Sequence, residues 1–100
     1  MVAYDKALNI NPQLAGVWYI KGVTLDILGR YEEAIVTYNN AIVINLQYAG
    51  AWNNKGKALS RLGLHEEAKE AFEKAHEIDP TIMLKSNLPI IEQIPDKKLT

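Results

Sequence analysis

The chain has 100 residues, enough for one compact unit, and its 48% hydrophobic and 23% charged residues are the make-up of an ordinary globular protein. The absence of cysteine excludes disulfides, thiolate metal sites and thiol chemistry. A net charge of −1 gives no electrostatic footprint for nucleic acid or an anionic membrane, and no apolar run approaches the length of a membrane span.

The opening stretch MVAYDKALNINP lacks the basic and long apolar regions of a signal peptide, so the expected setting is cytoplasmic. Val2, Tyr4, Ala7, Leu8 and Ile10 recur at helical spacing, which predicts a helix over 2–10 that stops before Pro12. A second helix is predicted over 15–28, carried by Trp18, Leu25 and Leu28, with Gly29 placed to take the positive φ of a helix end. A third follows over 32–45, with Glu32 and Glu33 in the first turn, where carboxylates suit the helix dipole. The same two elements then return as helices over 49–62 and 66–79, separated by Gly63 and stopped by Pro80. Residues 81–88, with Ile82, Met83 and Leu84, are expected to form a short cap, and Pro89 breaks it.

That return is a 34-residue repeat. Sliding the chain by one period lays Trp18 on Trp52, Lys21 on Lys55, Gly22 on Gly56, Leu25 on Leu59, Gly29 on Gly63 and Ala34 on Ala68. Thirteen of the 34 positions are identical, against roughly two for unrelated sequences of ordinary composition. A partial copy opens the chain, with Tyr4, Ala7 and Ile10 aligned on Tyr38, Ala41 and Ile44. The short connections make successive helices antiparallel neighbours. Gly22 and Gly56 lie inside helices, at a cost of about 1 kcal/mol each against alanine. Close approach of the paired helices is the expected compensation, with Ala34 and Ala68 as the matching small surface. Trp18 and Trp52 are expected to be the largest core pieces, each burying about 150–250 Å², an upper bound of about 4–6 kcal/mol.

The pattern W-x-x-K-G-x-x-L-x-x-x-G-x-x-E-E-A-x-x-x-[YF]-x-x-A resembles the tetratricopeptide repeat. The second copy carries it on Trp52, Lys55, Gly56, Leu59, Ala68, Phe72, Ala75 and Pro80, and the first on Trp18, Lys21, Gly22, Leu25, Ala34, Tyr38, Ala41 and Leu46. Lysine stands where the family usually has leucine, its alkyl stem covering core while the ammonium reaches water. Leu46 stands in place of proline, which should loosen the end of the first repeat. Pentatricopeptide RNA readers are a neighbouring family, but their repeat is one residue longer and more basic. The resemblance implies an all-α fold of antiparallel helix-turn-helix repeats stacked as a right-handed α-solenoid. Its divisions are a truncated leading repeat at 1–12, repeats at 15–48 and 49–82, and a cap and tail at 83–100.

In such a solenoid the first helix of each repeat (helix A) lines a concave groove, and the second (helix B) forms the convex back. Family members bind peptides or partner helices in the groove. Projected on this chain, the groove residues are Tyr19, Ile20, Val23 and Ile27 from the first repeat and Asn53, Asn54, Lys57 and Arg61 from the second. One half is apolar and the other carries amides and positive charge, which suits a protein or peptide ligand with apolar and acidic character. Asn54 matches a position where peptide-binding members hold the ligand backbone. The family's clamp for a C-terminal carboxylate also needs lysine and asparagine where Tyr19 and Val23 stand, so the clamp is not expected.

No catalytic, cofactor or metal site is expected. His65 and His76 have no acidic cluster around them, the paired glutamates point different ways on their helices, and no Walker, nucleophile-elbow or zinc-protease motif occurs. Lys69 with Glu73 and Glu70 with Lys74 read as ion pairs four apart on a solvated back. The leading helix lacks a partner of its own, and stacked repeats need neighbours and capped ends. A longer array, or a second copy of the chain, is the expected source of that contact. Self-association through the repeat ends and the apolar patch is therefore the alternative to peptide binding.

Overall fold

The computed structural model describes residues 1–82, so the capping helix and tail expected over 83–100 lie outside the described residues. Among the described residues five helices follow one another: α1 (Val2–Ile10), α2 (Ala15–Ile27), α3 (Tyr31–Ile44), α4 (Ala49–Arg61) and α5 (His65–Ile78). Each packs on the next, and α2 also touches α4, the arrangement of a right-handed α-solenoid of helix pairs. The B helices begin one residue earlier than the pattern suggests, and the A helices end one residue earlier.

Two turn types alternate. From A to B, Gly29 and Gly63 take φ of 79° and 83°. The N–H of Arg30 then bonds the Leu25 carbonyl at 2.9 Å while Gly29 bonds Asp26, and Leu64 and Gly63 repeat this on Leu59 and Ser60. These paired bonds are the Schellman closure of a helix end, which needs a left-handed residue at that point. From B to the next A, the side-chain oxygens of Asn11, Asn45 and Asp79 each accept the backbone N–H two residues on, all at 3.0 Å. Such a bond replaces a helical one and turns the chain out. The Leu46 turn therefore has the same form as the proline turns, and the first repeat is not loosened there.

The tryptophans serve these turns. Trp18 and Trp52 are half-buried, and their indole N–H groups donate to the carbonyls of Pro12 and Leu46, at 2.9 and 3.1 Å. They pin the incoming turn and do not form the centre of the core. Lys21 and Lys55 lie over these same rings at 5.6 and 5.2 Å, a cation–π contact that makes lysine serviceable at a leucine position. Lys21 also pairs with Asp5 of α1 at 2.8 Å.

The centre belongs instead to Tyr38, the largest fully buried side chain among the described residues, packed with Leu25 and Ala34. Its ring lies on Gly22, where an added Cβ would stand 2.5 Å from Cε1. Phe72 lies on Gly56 in the same way, at 2.7 Å. The interior glycines thus receive an aromatic ring of the partner helix, and the alanines fill around it. On α5 the ion pair seen is Lys74–Glu77 at 3.7 Å, three residues apart, in place of the expected four-apart pairs.

A test follows from the ring contacts. Gly22→Ala and Gly56→Ala gain helix propensity of about 1 kcal/mol but overpack an aromatic ring, a cost of about 1–3 kcal/mol. Both variants should be less stable than the parent in urea unfolding. Gly16→Ala, whose Cβ would meet nothing closer than Tyr48 Oη at 4.0 Å, should not lower stability.

Candidate functional site

Helix geometry sorts the eight expected groove residues. Positions 20, 23 and 27 of α2 are spaced three and four apart and form one face. One period later, Asn54, Lys57 and Arg61 occupy the equivalent face of α4. Ile20 and Ile27 are 47% and 80% exposed, while Val23 is half-buried against the Tyr38 cluster.

Tyr19 and Asn53 are also equivalent to each other; each is turned about 100° from Ile20 or Asn54 and about 40° from Val23 or Lys57, and so lies at the inner border of that face. Asn53 is only 2% exposed, so it is not available to a ligand and does not line the face. Tyr19 is half-buried and bridges three helices. Its ring stacks on Tyr48 at 5.1 Å and tilts against Tyr38 at 6.1 Å. Gly50 of α4 lies against it, where a Cβ would be 3.4 Å from the ring. Its hydroxyl accepts a hydrogen bond from Asn54 Nδ2 at 3.1 Å. Asn54 is thereby held at the edge of the face with its amide oriented.

A second link joins the two A helices. Arg61 Nη1 reaches Asp26 Oδ1 at 3.5 Å, and its guanidinium lies over the Tyr31 ring at 5.7 Å. Asp26 also accepts the Tyr38 hydroxyl, at 3.2 Å. Both links between the A helices span 35 residues, one more than the period. The stacked face is therefore crossed by a polar tie at each end, with Ile20, Val23 and Ile27 along one side and Lys57 along the other. Among the described residues, no ion pair engages Lys57. Asp26, Tyr31 and Tyr48 are not among the expected site residues; the 35-residue offset of complementary side chains signals Asp26 opposite Arg61, and no comparable signal marks Tyr31 or Tyr48.

The electrostatics follow from burial. Tyr38 has its phenol pushed far above the ordinary range, first by burial and then by the Asp26 carboxylate. Tyr48 shifts upward as well, through burial and then Tyr19. Lys55, on the other side of α4, is lowered by burial, against the pull of Glu67 and Glu70. Among the described residues no group of His, Cys, Asp or Glu is arranged to hold a metal ion, and no helix is long and apolar enough to cross a membrane.

The Tyr38 shift predicts an alkaline signature. The fold favours the neutral phenol, so its contribution is whole below the unfolded value near 10 and is lost as pH rises above it. Tyr38→Phe should cost about 0.5–1.5 kcal/mol at pH 8 through the lost hydrogen bond. That deficit should shrink at pH 11, where only the parent must bury a titrating phenol. Urea unfolding at the two pH values measures both, and a deficit that holds constant would contradict the assignment.

Comparison with known proteins agrees with this architecture. Residues 49–82 and 3–36 each match sequence families described as tetratricopeptide repeat, and residues 27–63 match one described as TPR repeat. Among solved structures, MamA is 30% identical with a TM-score of 0.76, over 79% of this chain and 46% of that one. The first TPR of Spaghetti (RPAP3), bound to the HSP90 peptide SRMEEVD, is 25% identical with a TM-score of 0.78, over 90% and 72% of the two chains. YrrB, at 23% identity and a TM-score of 0.73 over 89% and 51%, shares the fold. The chain spans about half the length of the MamA structure it matches. No curated protein sequence matches.

Proposed function

The chain belongs to the tetratricopeptide repeat family, a class of protein-interaction module, and we propose that it works by taking an extended peptide or partner segment along the face formed by α2 and α4. The observation that carries this reading is the juxtaposition of exposed Ile20 and Ile27 with Lys57, a lysine that no ion pair of the described residues engages. An exposed apolar row costs free energy unless something covers it. A free ammonium beside it favours a carboxylate on whatever does. Asn54, oriented by Tyr19, offers an amide to a ligand backbone.

The ligand inferred is a segment with apolar side chains next to aspartate or glutamate. The Spaghetti structure, with its SRMEEVD peptide, supports acidic peptide binding on this fold. A carboxylate clamp is not part of the proposal, because Tyr19 is engaged in the stack and Val23 cannot donate a hydrogen bond. Nor does the proposal contain a catalytic step, and it places the module in the cytoplasm.

Selection of a random peptide library on the immobilised chain tests this. The enriched peptides should combine apolar and acidic residues. Lys57→Glu and Ile20→Ser should each weaken a labelled winner about tenfold, or about 1.4 kcal/mol, in fluorescence anisotropy. Peptides without acidic bias, or affinities unchanged in both variants, would overturn the reading. Self-association is separated by light scattering: a mass that rises with concentration and falls on adding the peptide would show that copies compete for this face.

A further inference from the structure

The far side of α4 holds a concavity, between α3 and α5, that the proposed α2–α4 face does not use. Trp52 and Leu59 form its floor, with Val36 and Leu64, 60% and 46% exposed, on its walls. We propose that this cleft is a separate docking surface, and that its occupant is a segment of another protein carrying an apolar side chain flanked by lysine or arginine.

The apolar floor supplies the reason for docking, and charge selects the occupant. Five glutamates line the cleft against two lysines. Both lysines are already engaged: Lys55 lies over the Trp52 ring, and Lys74 pairs with Glu77. The carboxylates therefore exceed their local cations, and a basic segment would bring the missing charge while its apolar residue covers the floor.

The fold itself does not require this charge. The first repeat has Val36, Asn39 and Val43 where α5 has Glu70, Glu73 and Glu77, and α3 forms and packs on the A helix before it as α5 does. Glu77 also stands in the last turn of α5, where the helix dipole disfavours a carboxylate. Lys74 offsets that carboxylate, and Glu32, Glu67, Glu70 and Glu73 remain as the excess that a basic partner would meet.

A labelled amphipathic peptide of lysine and leucine is the probe, with a glutamate–leucine peptide of the same pattern as control. The basic peptide should bind and the acidic one should not. Its affinity should fall with added salt and by tenfold or more in a Glu70→Lys, Glu77→Lys double variant. Both side chains are exposed, so helical content by circular dichroism should match the parent. Amide shifts should move on α3, α4 and α5. The double variant should keep the affinity of the α2–α4 face for its acidic peptides, which separates failure here from failure of the groove. Equal binding of both peptides, an unaffected double variant, or shifts confined to α2 would overturn the proposal. So would a concentration-dependent mass of the chain alone that the double variant abolishes, since the occupant would then be a second copy.

Discussion

An aromatic ring lying on the bare backbone of a neighbouring helix sets the geometry of this protein. Tyr38 occupies the space that a side chain at position 22 would fill, and Phe72 does the same at position 56. A glycine inside a helix is a local weakness, and here it allows an approach that no other residue permits. The ring fixes the distance and rotation between the two helices of a pair. Because α3 packs on α4 as well as on α2, the same ring also sets where the next pair stacks. Through its hydroxyl, Tyr38 reaches Asp26, which in turn anchors Arg61 of the following repeat. One buried phenol thus connects the core of the first pair to the accessible face of the second.

The turns make that geometry repeat. Left-handed glycines end the A helices, and Asn or Asp side chains end the B helices, at equivalent places each time. Each tryptophan then bonds the turn that precedes its own helix. These contacts tie turn and helix-end residues to nearby backbone across short distances, so they do not depend on what the outward surfaces carry. The interior alanines have the same consequence: Ala34, Ala41, Ala68 and Ala75 are nearly or wholly inaccessible and leave no room for variation.

This division explains what could be read in advance. Period, helix order, the left-handed glycines and the small-residue packing are properties of one repeat and recur twice in the sequence, so they were legible. Which ring meets Gly22 was less so, because Ala34 and Tyr38 lie on the same side of one helix and only three-dimensional packing selects between them. The size of a tryptophan suggests core, whereas its indole N–H needs a partner, and here that need draws Trp18 and Trp52 to the turns. The family pattern points positions 19 and 53 outward, yet both lie at the inner border of that face, where burial draws them into the stack. Tyr19 meets Tyr48 at the end of its own repeat and Asn54 of the next, and the second is a contact between units that a pattern within one unit does not encode.

The surfaces carry the information that the interior withholds. Positions 20, 23 and 27 and positions 54, 57 and 61 share one geometry and differ wholly in chemistry. Positions 36, 39 and 43 and positions 70, 73 and 77 show the same contrast on the back. If the shared register alone governed these sites, the two units should carry similar exposed residues, although α3 lies between α2 and α4 while α5 packs on α4 alone among the described residues. Instead the concave face gains cations in the second repeat, and the convex face gains carboxylates there. Both changes fall on α4 and α5, and they place opposite charge on the two sides of a single helix pair. A field of that shape contributes little to holding α4 against α5. It can, however, distinguish an acidic segment from a basic one at two faces of the same repeat.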